Sequence, residues 1–183
     1  MRAPSSPVLM FFLCFALLPA ATLKPLISQE SLESSTQGSG TPAAGNLAEI
    51  MKAFIYPASN LMFEVQRYDP GETPEAGSDA AESPLFKGTY GGWQAVEQAG
   101  VALVEIESVA LRPRLCENGL DAPVDREDYR EMSREMTEAA RSILEAARAR
   151  DREAVIERTD RLVVSCENCH LEYMRWDDRC TSS

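Results

Sequence analysis

The sequence predicts an all-α fold: an antiparallel four-helix bundle whose last helix carries a C-x-x-C-H motif. Three observations predict it. Four stretches repeat apolar residues at steps of three and four, which marks one face of a helix. No stretch alternates with period two, so no strand is expected. Prolines and glycines gather at the breaks between the four stretches. Four amphipathic helices of this kind bury their stripes most economically against one another.

The elements follow in order. "MRAPSSPVLMFFLCFALLPAATLKP" has one positive charge, Arg2, ahead of an apolar run from Val8 to Leu18, then Pro19 and small residues. This is the outline of an export signal, and residues 1–22 are set apart from the fold. The run is too short to span a bilayer comfortably, and an uncleaved membrane anchor is the alternative. Cys14 lies in this run, without a lipid-attachment box around it. Residues 23–41, with "SQESLESSTQGSG", read as a flexible leader. The bundle is expected over residues 42–178, with residues 179–183 as a tail.

The first helix is expected to start at Thr41-Pro42, with proline in the first helical position. Its stripe is Leu47, Met51, Phe54, Ala58, Leu61 and Val65, and Pro57 must kink or interrupt it. "YDPGETPEAGSDAAESPLFKGTYGG" reads as a long loop. The second helix runs from Trp93, with Val96, Ala99, Leu103, Ile106 and Ala110 aligned. "RPRLCENGLDAP" breaks it. Asp125 is expected to cap the third helix, with Asp128 completing a capping-box variant. That stripe is Tyr129, Met132, Met136, Ala139, Ile143 and Ala146. Asp151 caps the fourth helix, where Val155, Thr159, Leu162, Cys166, Cys169 and Tyr173 share a face. The short second and third connections make their helices antiparallel neighbours. The first connection is long enough for either direction, and up-down-up-down is assumed.

The chain has 183 residues, enough for one domain, and its 44% hydrophobic content suits a packed core. Its formal net charge is −11. That excludes nucleic acid and anionic membrane surfaces as expected partners, because both need a basic surface. An acidic body suits a partner with a basic docking surface, although such a charge also serves solubility alone. No Ser-His-Asp arrangement or phosphate loop is visible, so no enzyme activity is expected.

The single histidine, His170, directly follows the second of two cysteines in "SCENCH". On a helix Cys166, Cys169 and His170 fall at i, i+3 and i+4 and are expected to point together into the bundle. C-x-x-C-H is the attachment signature of c-type haem. Two thiols add to the two vinyl groups of the porphyrin, and the adjacent imidazole reaches the iron. Two other readings exist. A zinc site would use Cys166, Cys169, His170 and Cys180, but consecutive Cys-His ligation is unusual. A redox dithiol would need a βαβ setting that the sequence lacks. Haem attachment also fits export, and the periplasm is the expected compartment.

Only 13 residues follow His170, so any sixth iron ligand comes from upstream or the distal face stays open. In an up-down-up-down bundle Met51 lies at a height comparable to His170, as do Met132 and Met136, whereas Met62 lies too far along the axis. Cys116 follows the second helix and Cys180 the fourth, so both sit at one end. An oxidising compartment would allow a disulfide between them; free thiols are the alternative.

A late C-x-x-C-H on the last helix of a four-helix bundle resembles the cytochrome c-prime (class II cytochrome c) family. "CENCHLEY", "MKAFIYPASNLMF", "GGWQAVEQAGVALVEI" and the run into the last helix carry the resemblance over roughly residues 43–176. Of these only the haem motif is highly specific. The resemblance implies one covalent haem c on Cys166 and Cys169, with His170 as axial ligand. It implies a distal residue on the first helix, which points to Met51, whether as iron ligand or as core. It also implies a possible homodimer. The family's basic residue after the aromatic is replaced by Met174, with Arg175 one later. A six-coordinate iron would make the protein an electron carrier. A five-coordinate iron would bind small gases such as NO or CO.

Overall fold

The computed structural model describes residues 43–174 and Cys180. The expected signal (residues 1–22), the leader (23–41) and Arg175 lie outside the described residues. The described residues are largely helical and contain no strand; an isolated bridge joins Leu115 and Asp121. Four long helices dominate. α1 runs over 47–67, α2 is Trp93–Ala110, α3 is Glu127–Ala149 and α4 is Arg152–Tyr173.

α1 starts at Asn46 rather than at Pro42. The Asn46 side chain accepts a hydrogen bond from the Glu49 N–H (2.9 Å), and the Glu49 carboxylate accepts one from the Asn46 N–H (2.8 Å). This reciprocal box satisfies two donors that a helix start otherwise leaves open.

Pro57 does not break α1. It cannot donate to the fourth carbonyl back, and its ring crowds that carbonyl. The chain widens just before it into a π-helical turn, Met51–Ile55, where the Tyr56 N–H bonds the Met51 carbonyl five residues back. The inserted residue turns the remainder of the helix by about 100°. The buried face therefore runs Ile55, Ala58, Met62, Val65, not Phe54, Ala58, Leu61, Val65. Phe54 is 47% exposed and Met62 is 0% exposed.

The connection from α1 to α2 is fastened rather than free. It contains one helical turn, Asp79–Glu82. Leu85 is fully buried in the main core, and Phe86 packs edge-on to Tyr68 at 6.3 Å between ring centres. Gly92 opens α2 at φ +60°, where a Cβ would stand 2.5 Å from the Pro70 carbonyl oxygen. Only glycine fits there. The α2 stripe is buried where its spacing places it.

α3 is not capped by Asp125. Arg126 holds the cap position without a side-chain bond. Asp125 instead pairs with Arg130 at 2.9 Å, and Asp128 grips Arg126 at 2.6 Å. Arg130 has drawn the Asp125 carboxylate away from the open backbone donors, whereas Asp128 holds Arg126 and still accepts from the Tyr129 N–H at 3.0 Å. α3 ends at Arg150 in the left-handed conformation, and Asp151 then caps α4 by accepting from the Ala154 N–H at 3.0 Å.

α1 packs against α2 and α4, and α3 packs against the same two. At one end the Leu47 N–H bonds the Leu115 carbonyl (2.8 Å) and Arg114 reaches the Gly45 carbonyl (3.2 Å). The start of α1 therefore lies beside the end of α2. At the other end Arg152 donates to the Val65 and Gln66 carbonyls, so the start of α4 lies beside the end of α1. Neighbouring helices thus run in opposite directions. The main core fills the length near the α3–α4 turn, and a second cluster around Tyr129, Tyr173 and Cys116 closes the opposite end.

Candidate functional site

Between those two clusters the helices enclose a cavity of about 400 Å³, within the range of small-molecule sites. One wall is α4, with Cys166, Cys169 and His170. Met51 and Ile55 of α1 face it, on either side of the π-turn. Met132 and Met136 of α3 form a third wall. Met62 does not line the cavity; it belongs to the packed core.

Three serines make the room. Ser59, Ser133 and Ser165 stand on core-facing positions of α1, α3 and α4, all buried and all against the cavity. Each hydroxyl donates to a carbonyl of its own helix: Ser59 to Tyr56 (3.1 Å), Ser133 to Tyr129 (2.9 Å) and Ser165 to Leu162 (2.8 Å). Their bonding needs are met locally, so they leave space without asking anything of an occupant. The sequence reading missed these residues. Small side chains at matching heights of three stripes are the signal that would have found them.

The three motif residues are not equally placed. Cys166 and Cys169 are half-buried and free, whereas His170 is exposed. The expectation that all three point into the bundle is corrected for His170. The i+4 position lies about 40° to one side of Cys166 and the i+3 position about 60° to the other. With Cys169 turned inward, His170 stands at the cavity's mouth. Burial pushes both thiols up, Cys169 to about 11, so both are protonated at neutral pH.

The floor is sealed by aromatic and covalent contacts. Tyr129 and Tyr173 meet edge to face at 5.3 Å, and the Arg126 guanidinium lies 5.6 Å from the centre of the Tyr173 ring. Among the described residues the buried Tyr173 hydroxyl has no partner at hydrogen-bonding geometry, with the Asp128 carboxylate as a nearby acceptor. Burial, with the Asp128 carboxylate nearby, pushes that phenol up to about 12. Cys116 and Cys180 form a disulfide with Cα atoms 5.8 Å apart, and the Cys180 N–H bonds the Tyr173 carbonyl at 2.6 Å. At the rim Lys52 and Glu117 pair at 3.6 Å.

The disulfide removes Cys180 from the zinc reading. Among the described residues no group of three or more His, Cys, Asp or Glu is placed to hold a bare metal ion. Nor is any helix among them long and apolar enough to cross a membrane. No family model, curated protein or solved structure matches the chain.

Proposed function

We propose that the chain is an exported c-type cytochrome, an antiparallel four-helix bundle of the cytochrome c-prime kind, that carries one covalent haem c and transfers electrons. One observation carries this reading. Two free thiols and the chain's single imidazole lie on one wall of an apolar cavity, next to a buried hydrophobic core. The donor set suits a porphyrin better than a bare ion: two thiols to anchor it and one imidazole for its iron. The haem would supply the one-electron chemistry.

The chain's own residues do the rest. Cys166 and Cys169 are presented as neutral thiols on one rigid helix, held three residues apart. His170, at the mouth, offers its ring next to the second anchor. Met51 is the proposed distal residue, because it lines the facing wall and the π-turn fixes its backbone. Methionine and histidine together would hold the iron six-coordinate and raise its potential. Met132, Met136 and Ile55 keep the remaining walls apolar and exclude water.

The electronic spectrum of the oxidised protein tests the coordination. A methionine–iron charge-transfer band in the near infrared, lost in Met51→Ala, supports the electron carrier. A high-spin ferric spectrum without that band would instead assign a five-coordinate site that binds NO or CO.

A further inference from the structure

The cavity opens outward into a shallow apolar depression between α1 and α4. Phe63, Cys166, His170 and Met174 line both the cavity and the depression, and Val163 and Leu171 line the depression alone. Three of these side chains are large, apolar and exposed: Val163 at 41%, Leu171 at 66% and Met174 at 50%. Single exposed apolar residues mean little, but a contiguous group at the mouth of a site marks a contact surface.

Acidic side chains outnumber basic ones around it. Glu153, Asp160 and Glu167 recur every seven residues along the same outer face of α4, and all are exposed. None forms an ion pair within 4.0 Å of a described residue, whereas Asp125, Glu127, Asp128 and Glu131 near the start of α3 are all paired with arginines. Of the basic residues of α4, Arg152 and Arg158 are turned elsewhere, while Arg161 is exposed next to Asp160. Arg152 donates to carbonyls of α1, and Arg158 donates to the Ser142 carbonyl on α3.

From this geometry we infer that the α1–α4 mouth is the docking face for an electron-transfer protein with an apolar centre ringed by lysines or arginines. The inference rests on the haem reading and adds where the partner sits and what its surface is. Docking there brings the partner against Cys166 and His170 at the mouth. A haem held by Cys166, Cys169 and His170 would supply one electron to the partner's acceptor, its iron being oxidised as the acceptor is reduced, with no bond formed or broken. A second copy of the chain is the poorer occupant, because each copy carries a formal charge of −11 and would bring the same acidic stripe.

The test uses a lysine-rich mitochondrial-type cytochrome c as probe and calorimetric titration of the full chain. Binding at about 0.02 M salt is expected to weaken about tenfold or more at about 0.2 M. Asp160→Lys with Glu167→Lys should weaken it about tenfold at low salt, while Glu135→Lys with Glu138→Lys, an equal charge change on α3, should stay within about twofold. Val163→Ser with Leu171→Ser should weaken binding at both salts. Equal losses from the two charge-reversed pairs would overturn the inference, since net charge alone would explain them. So would no binding, or self-association of the chain in sedimentation that Val163→Ser with Leu171→Ser abolishes. Intact mass on the same samples keeps the two readings apart. A chain that carries haem yet ignores the probe sinks the docking face only; a chain that binds the probe without haem sinks the proposed function.

Discussion

The same four helices build two different interiors. Toward the α3–α4 turn, Met62, Val65, Val96, Leu103, Ile143 and Val155 are fully buried and interlock. Toward the disulfide, serines replace large residues at three core positions and methionines stand half-buried around a cavity of about 400 Å³. The packed half gives the chain a stable frame without any occupant. The hollow half gives up packing for a space whose wall carries two thiols and an imidazole. The difference teaches that the site is built in where side chains are left small, and that its open end needs another fastening. The Cys116–Cys180 bond is that fastening.

Six variants can break or sharpen the contrast. The largest effect should come from replacing Cys116 and Cys180 together by serine. The bond closes a separation of 64 residues, so its loss should lower stability by about 4 kcal/mol through restored chain entropy, measured by denaturant unfolding. Next is a matched truncation in protein without cofactor. Met62→Ala should cost about 3 kcal/mol and Met136→Ala about 1 kcal/mol or less, because only the first opens a new void. Equal costs would mean that the two interiors do not differ.

Additions should show the reverse asymmetry. A Cβ at Gly100 meets the Leu144 Cβ at 3.0 Å and its Cα at 3.3 Å. Gly100→Ala should therefore cost about 1 kcal/mol net, from about 2 of overpacking less about 1 of improved helix propensity. Ser59→Leu, pointing into the cavity, should stay within about 1 kcal/mol of the parent while lowering the haem attached per chain.

The smallest effect concerns Tyr173. Its phenol is pushed from 10.0 up to about 12, chiefly by burial. Below pH 10 it is protonated whether the chain is folded or not, and its contribution is whole. Between pH 10 and 12 the unfolded chain releases the proton first, so that contribution is lost as pH rises through the folded value. Tyr173→Phe should flatten the alkaline decline and cost less than about 1 kcal/mol at neutral pH, because the hydroxyl has no partner at hydrogen-bonding geometry among the described residues.

Much of the fold could be read from the sequence, because periodicity records which face of a helix is buried. The α2 stripe and the Asp151 cap follow from spacing and side-chain chemistry alone. The register of α1 after Met51 does not, because a π-turn adds a residue that no fixed period anticipates. Asp125 has the chemistry of a cap, but Arg130 outcompetes the backbone for its carboxylate, and Asp128 serves the Tyr129 N–H from inside the first turn instead. Leu85 was hidden in a stretch rich in proline and glycine. At the site, C-x-x-C-H named its own residues, yet the cavity was invisible. Met51, Met132, Met136, Cys166 and Cys169 extend their stripes as core residues would, and a void leaves no mark on a periodic pattern. His170 at the rim follows from helix geometry once Cys169 is known to face inward, which only the packed structure tells.

The central claim is that the hollow half holds a haem bonded to Cys166 and Cys169. Intact-protein mass spectrometry of the chain recovered from an export-competent host tests it most directly. The account predicts the polypeptide mass plus one haem, retained after denaturation and lost when both cysteines are replaced by serine. A bare polypeptide mass, with both thiols free to alkylation, would contradict it.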